Sequence, residues 1–272
     1  MIDPDRLSDS RIQLHYAIQC IAAVGAVLGT PQADGSQTTL RWSTKLERFI
    51  GFELAGDRPF YLALEPVSLT SLILNEQRQE IASLFLDGQT MATALQWHKT
   101  ELTQLGAETE KIVFLDYPND FPDHPLARGA EFDAGDAKAR RALAAYFDLT
   151  SPLLDKIARS TAGATPLRIW PHHFDIATAI ALSKVGDDER SVGVGLSPGD
   201  SSSNLPYWYV TPWPYPASDT LPTLASGTWH TEGWTGAILQ ATEVGDPTSE
   251  DTGSKLEAFL KQAMAACYEL LK

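Results

Sequence analysis

The first thirty residues carry hydrophobic side chains at the spacing of an α-helix. Apolar positions recur at intervals of three and four, which places them on one side of a helix over residues 10–29. These positions are Leu14, Ile18, Ile21, Gly25 and Leu28. The run Gly29-Thr30-Pro31 ends this helix, because glycine and proline both disfavour its continuation.

From Thr38 to Leu86 the pattern changes to short apolar runs separated by turn residues. Short strands with short connections predict an antiparallel meander. The runs cover residues 40–43, 49–54, 60–64, 69–74 and 81–86.

Two more helices are predicted in the middle of the chain. The first opens at Asp87-Gly88-Gln89-Thr90 and ends at Gly106, and His98 on its apolar face is interpreted as a core histidine. Residues 112–115 are a further candidate strand. Asp136 caps a third helix, in which Pro152 marks either a kink or the start of a new helix.

A second group of strands follows, and the chain ends in an amphipathic helix that starts near Ser254. The strands are predicted at residues 167–169, 176–182, 192–196 and 207–211. This order of elements predicts an α+β protein whose antiparallel sheets pack against helices. We expect one compact domain over residues 1–272, with two possible sheet-bearing halves, 1–115 and 137–272, joined by a Pro- and Asp-rich loop, 116–136.

Composition and charge exclude several classes of protein. With 43% hydrophobic and 21% charged residues, the chain has the composition of a globular protein. Its formal net charge of -14 repels phosphate backbones, so we expect no nucleic-acid partner and interpret the charge as a solubility device.

The compartment is predicted from what precedes the first helix and from the cysteines. The N-terminal residues lack the basic and then apolar run of a secretory signal, and the apolar stretch at residues 18–28 is shorter than the ~20 residues of a membrane span. Cys20 and Cys267 lie in apolar helical patterns and are expected to be buried, reduced thiols. We therefore expect a cytoplasmic protein without membrane contact, and the oligomeric state stays open.

The densest chemical cluster is His172-His173-Phe174-Asp175. In an extended segment, alternation places His173 and Asp175 on one face and His172 on the other. Imidazole and carboxylate suit zinc, iron or manganese, so a metal site, if present, would use His172, His173 and Asp175 with ligands from elsewhere. Candidates for those are Asp200, His230 and Glu232. Proton transfer, or a structural role in which Asp175 caps a turn, are the alternatives.

Residues 193–200 form a glycine-rich turn after a predicted strand. Gly193 and Gly195 allow close backbone approach, and Pro198 and Gly199 suit the centre of a turn. A GxGxxG nucleotide motif would need glycine where Pro198 stands. The turn either only follows a buried strand or points Asp200 into a pocket.

The run Tyr207-Trp208-Tyr209-Val210-Thr211 alternates, so Tyr207 and Tyr209 share a face opposite Trp208. The prolines at 212, 214 and 216 make the following segment stiff and extended. Rings on rigid backbone form stacking platforms for sugars, nucleobases or flat cofactors, or else the edge of a core. We predict Tyr209, Trp213 and Trp170 as ligand contacts, and His230 as a residue of a pocket-lining loop.

Three motifs carry a family resemblance: Phe-Asp-Ile-Ala at 174–177, Ser-Pro-Gly at 197–199 and the aromatic and proline run at 208–214. They resemble a bacterial family catalogued as a domain of unknown function, with a Phe-Asp-(Leu/Ile)-Ala strand, a Pro-Gly turn and a Tyr-x-Tyr-x-Pro-x-Pro-like run. His15-Tyr16, residues 121–124, Phe132-Asp133 and Tyr268 are similar to its other segments. The resemblance implies the layout of the chain, favours Asp175 over the histidine pair as a site residue, and implies no activity.

Three functions are compatible with these residues. The leading one is binding of a small neutral or cationic molecule in an aromatic, acid-lined pocket of the C-terminal half, with Asp175 and Asp200 as polar anchors and Tyr209 and Trp213 as walls. The second is an enzyme that uses metal-assisted or general acid–base chemistry. Its candidate catalytic residues are His173, Asp175 and His230. The third is a structural role with the aromatic run as a subunit contact; the sequence indicates no particular cofactor.

Overall fold

A computed structural model describes residues 4–182 and 189–272, of which the helical and strand fractions, 37% and 24%, confirm the predicted α+β class. The helices are α1 (Pro4–Leu28), α2 (Met91–Gln104), α3 (Ala137–Ser160), α4 (Ala241–Val244) and α5 (Glu250–Leu270). The strands are β1 (Leu40–Ser43), β2 (Arg48–Gly51), β3 (Phe60–Glu65), β4 (Thr70–Asn75), β5 (Glu80–Phe85), β6 (Arg168–Ile169), β7 (Ile176–Ala181), β8 (Ser191–Ser197), β9 (Tyr207–Trp213), β10 (Thr228–His230) and β11 (Gly236–Gln240).

The chain forms two compact units. The N-terminal unit comprises the described residues up to Ala144 together with Ile169–Phe174, and the C-terminal unit comprises Ala145–Arg168 and the described residues from Asp175 onward. The boundary between the units falls inside α3, whereas the sequence placed it in loop 116–136, which belongs to the N-terminal unit. One uninterrupted helix serves both units, so the hydrophobic pattern gives no sign of the boundary.

In the N-terminal unit the strands follow the antiparallel order β6-β1-β2-β3-β4-β5, and the predicted meander is confirmed. Leu62 pairs with Ile73 and Ala63 with Leu72, and all four side chains are buried. Both central strands are buried along nearly their whole length, and α1 contacts β2 and β3 on this sheet.

Helix α1 is an apolar core helix that carries buried polar groups. By length and composition its residues Arg6–Leu28 could cross a membrane, and 78% of the most apolar window is buried inside the protein, as in the core helix of a soluble protein. The expectation that no segment is long and apolar enough is therefore wrong for α1. The error arose because polar residues such as His15 and Gln19 interrupt the apolar run without lowering its average hydropathy far.

In the C-terminal unit the strands follow the antiparallel order β7-β8-β9-β11-β10. Helix α5 packs on β8 and β9. Trp208 is fully buried on the helix-covered face, where its indole N–H donates to Thr150 Oγ1 of α3 at 2.8 Å. Cys267 of α5 is also buried there, and both cysteines are free, as predicted.

Two details of the secondary structure differ from the predictions. Residues 112–115 form no strand, because Ile112 is buried singly and its carbonyl accepts from the Lys99 ammonium at 3.2 Å instead of from a neighbouring strand. Strands β10 and β11 were not predicted, since they are short and begin beside glycines. Pro152 lies inside one continuous helix, α3.

Candidate functional site

One face of the C-terminal sheet is not covered by α5 and carries side chains of very unequal size. Residues on this face alternate with the buried ones along each strand. The antiparallel register aligns Ala177, Gly195 and Tyr209 in one row across β7, β8 and β9. Alanine and glycine project little, so the strip itself has low relief, and the Tyr209 ring and the Thr211 methyl group of β9 lie over Gly195 and Gly193. We call this strip the trough; it consists of Ala177, Ala179, Gly193 and Gly195.

The trough is open at one end and closed at the other. Ala179 and Ala181 are exposed, and Trp213, which lies in the same row as Ala181, is 52% exposed. Towards the other end Gly195 and Tyr207 are buried. A small molecule on this face would therefore be half enclosed, with an aromatic ring at the entrance.

A tyrosine–carboxylate pair lies at the closed end. The hydroxyl of Tyr209 donates to Asp175 Oδ2 at 2.5 Å, and Asp175 directly precedes β7. Burial, followed by the charge and the hydrogen bond of Asp175, raises the pKa of Tyr209 well above its ordinary value, since each of them favours the neutral phenol. Tyr209 is thus a hydrogen-bond donor, not a base, at neutral pH.

Gly195 is required by the position of the Tyr209 ring. A Cβ at residue 195 would lie 2.5 Å from the hydroxyl oxygen and from Cζ of Tyr209. The close approach expected at Gly195 from the sequence is therefore made by an aromatic ring. Any larger residue there would displace Tyr209 from Asp175.

Asp200 builds the turn after β8. Its Oδ1 accepts from the backbone N–H groups of Ser202 and Ser203 at 2.8 and 3.0 Å, and its Oδ2 accepts from the Tyr207 hydroxyl at 2.5 Å. Burial opposes ionisation of Asp200, but these hydrogen bonds outweigh it and hold the pKa of its carboxyl below the ordinary value. Of the two alternatives for this residue, the geometry supports the turn, because its oxygens already have donors.

His230 lies on the same face as Tyr209, and the Trp234 ring lies between them. The rings of His230 and Trp234 are 4.6 Å apart, and those of Trp234 and Tyr209 are 6.1 Å apart. Nε2 of His230 donates to the carbonyl oxygen of Glu232 at 2.8 Å. Asp175, Tyr209 and His230 are therefore on one face, separated by the Trp234 indole.

The other predicted residues belong to the N-terminal unit. Residues 171–173 form a turn and Phe174 has a φ of +59°, so the alternation expected for an extended segment is wrong there. His173 Nε2 lies 3.2 Å from Asp120 Oδ2, with both side chains more than half exposed. The rings of His172 and Trp170 are 5.7 Å apart. Burial of the Phe174 side chain in the core accounts for the left-handed backbone.

The metal alternative lacks an assembled set of ligands. Within 4–182 and 189–272, no three or more His, Cys, Asp or Glu side chains are grouped closely enough to hold a metal ion. The conditional site of His172, His173 and Asp175 is accordingly not formed by the described residues.

A separate groove of about 340 Å³ lies between α3 and α5. Apolar side chains such as Ile157, Leu260 and Met264 line it, and none of the predicted site residues does. The groove therefore lies between the two helices and is separate from the trough.

Comparison with known proteins adds no precedent for this site. No protein-family profile matches the chain, no curated protein matches it, and no solved structure matches it. The family resemblance described above stays a prediction, and the site is argued from its own geometry.

Sequence reasoning missed the floor of the trough. Ala177 and Ala179 attract no attention as isolated alanines, and only the strand register shows that they adjoin Gly195 and Gly193. Trp234 was not predicted as a site residue. The usable signal was alternation in residues 176–181, where isoleucine and threonine face the core and alanine the other side.

Proposed function

We propose that the trough binds a small neutral or cationic molecule. The observation that carries this proposal is the hydrogen-bonded Tyr209–Asp175 pair, which places a phenol ring and a carboxylate at the closed end of a strip of alanine and glycine. Trp213 at the entrance and Trp234 beside Tyr209 add aromatic faces. Rings with a few convergent polar groups are the usual composition of a small-molecule site.

Charge favours neutral and cationic ligands over phosphorylated ones. The net charge of -14 repels anions, and Asp175 adds a carboxylate at the site itself. Tryptophan and tyrosine faces attract quaternary ammonium groups, with a contribution of about 0.5–2 kcal/mol for each cation–π contact. The two free, buried thiols agree with a reducing compartment, and we include a cytoplasmic location in the proposal.

The test is isothermal titration calorimetry with two probes and their phosphorylated counterparts. Choline and glucose are compared with phosphocholine and glucose 6-phosphate. We expect heat of binding for at least one of the first two and none for the phosphorylated pair. Binding of the phosphorylated probes alone, or of no probe at millimolar concentration, would overturn the proposal.

Two variants locate the binding. Gly195→Ala displaces the Tyr209 ring, and Tyr209→Phe removes only its hydroxyl, so both should weaken binding at least about tenfold, equivalent to ~1.4 kcal/mol. Tyr146→Phe is the control, because Tyr146 contacts Trp208 on the helix-covered face of the same sheet. Equal loss in all three variants would indicate general destabilisation instead of a site in the trough.

An enzyme is the second candidate function. The observation that favours it is the imidazole of His230, which lies on the same face as Asp175. Elemental analysis of the purified protein separates the metal-assisted form of this hypothesis from binding alone. A stoichiometric transition metal would favour catalysis, and mutation of His173, Asp175 and His230 would then show which of them hold it.

A further inference from the structure

Strand β5 is the outermost strand of the N-terminal sheet and is exposed along its length. In the strand order it pairs with β4 on one side and is last on the other. Its residues Ile81, Ser83 and Phe85 point to the exposed face, and Ile81 and Phe85 are 48% and 53% exposed. Large apolar side chains and outward-facing backbone groups are thus presented together.

Such an edge is unusual for a protein that stays monomeric. Proteins protect outer strands by keeping them short or by placing lysine or proline on them, since an open edge is a template for another strand. The outermost strand of the C-terminal sheet, β10, has only three residues. By contrast β5 has six residues, no proline and no lysine, and Glu80 is its single charged residue. Its pairing with β4 shifts register at Ile81, and from Ala82 to Phe85 the pairing is regular.

We propose that β5 pairs antiparallel with β5 of a second copy of this chain, with the twofold axis at Ser83. In this register Ile81 of each copy lies opposite Phe85 of the other, and Ala82 lies opposite Leu84. Each Ile81 side chain therefore packs against the Phe85 side chain of the other copy, and the dimer contains this contact twice. Aromatic and β-branched residues in directly opposite positions are a favourable cross-strand pair.

The placement of charge along the strand supports a second copy as the occupant. The register brings no carboxylate of one β5 opposite a carboxylate of the other, because Glu80 comes level with Leu86. Beyond the strand ends, Arg78 lies over the Tyr61 ring and Asp87 Oδ1 accepts from the Ala134 N–H, so the pairing depends on the strand itself. The net charge of -14 on each copy opposes association at longer range, and added salt should therefore strengthen the dimer.

Disulfide trapping tests the register. Ser83→Cys places two thiols on the twofold axis, where opposite Cα atoms are about 4.5–5.5 Å apart, within the ~4.4–6.8 Å that a disulfide spans. Both native cysteines are buried, so the new thiol is the accessible one. Glu80→Cys on the same strand is the matched control, because the two residues 80 would be about 20 Å apart.

We expect Ser83→Cys to form a covalent dimer under mild oxidation at least about tenfold faster than Glu80→Cys, and light scattering of the native chain to give twice the monomer mass. Ile81→Lys with Phe85→Lys should give a monomer with an unchanged circular dichroism spectrum. A monomeric native chain, equal trapping of both cysteine variants, or a mass that grows beyond two copies would each overturn the proposal.

Discussion

One group of polar side chains in each unit shows a different relation to solvent. In the N-terminal unit His15 and Gln19 are enclosed, and both contact the Pro171 carbonyl, at 2.8 and 2.7 Å. In the C-terminal unit the Asp175–Tyr209 pair lies at one end of a partly open face. Polar groups sealed in a core specify structure, whereas polar groups beside an opening are available to a ligand.

Arg140 is a buried polar side chain of the N-terminal unit with several backbone partners. It is 1% exposed, and its guanidinium donates to the carbonyl oxygens of Pro66, Val67 and Ala134 at 2.7–3.1 Å. His98 likewise contacts Ser71 Oγ and the Ala94 carbonyl, both at 2.8 Å. The comparison therefore predicts that changes to these residues affect stability, and changes in the trough affect binding.

The largest effect is expected from acid. Burial lowers the pKa of His15 to about 3 and that of His98 to about 4, from an ordinary 6.5. Below pH 6.5 the unfolded chain binds protons that the folded chain does not, so stability falls as the pH decreases towards these values. From pH 7 to pH 5 each histidine should remove about 2 kcal/mol from the free energy of unfolding, about 4 kcal/mol together.

Urea denaturation at the two pH values measures this loss. His15→Gln and His98→Gln should each reduce the difference between pH 7 and pH 5 by about half, whatever they do to stability at pH 7. His230→Gln is the control from the C-terminal unit, where the ring is half exposed. An unchanged pH dependence in both core variants would show that the histidines are not sealed as the comparison requires.

The next effect concerns Arg140. Arg140→Met removes the donor from one buried and two part-buried carbonyl groups, and we expect the free energy of unfolding to fall by about 3 kcal/mol or more. Arg141→Met, on the exposed side of the same helix, should change it by less than about 0.5 kcal/mol. Similar free energies of unfolding for the two variants in urea denaturation would show that the hydrogen bonds of Arg140 do not stabilise the fold as predicted.

A smaller effect is expected in the C-terminal unit. Tyr209→Phe removes a hydrogen bond to a carboxylate and keeps the ring over Gly195, so we expect a loss of about 1.5 kcal/mol. The same variant should lose most of the ligand binding proposed above. If it lost several kcal/mol of stability instead, the pair would be part of the core and the contrast between the units would fail.

Predictions from the sequence were correct where they depended on neighbours within one helix or strand, and they failed where they depended on residues distant in the chain. Alternation correctly placed Tyr209 opposite Trp208, and helical periodicity correctly placed His98 in the core, because both depend on neighbours along one element. The turn at residues 171–173 was not predicted, since packing of the Phe174 side chain in the core overrides the extended conformation expected from the local sequence. The trough escaped as well, because pairing of Ala177 with Gly195 depends on strand register.

The smallest effect on stability is expected at Trp213. This residue is a ligand contact in the binding hypothesis and a subunit contact in the structural hypothesis. The side chain is 52% exposed and its ring contacts Tyr215 at 5.0 Å. Trp213→Ala should therefore change the free energy of unfolding by less than about 0.5 kcal/mol and leave the mass in light scattering unchanged. It should also remove a fluorescence component that acrylamide quenches, which Trp208→Phe should leave intact because Trp208 is fully buried. A halved mass in Trp213→Ala alone would make the aromatic run a subunit contact, and the entrance of the trough would then be closed by a second copy instead of open to a ligand.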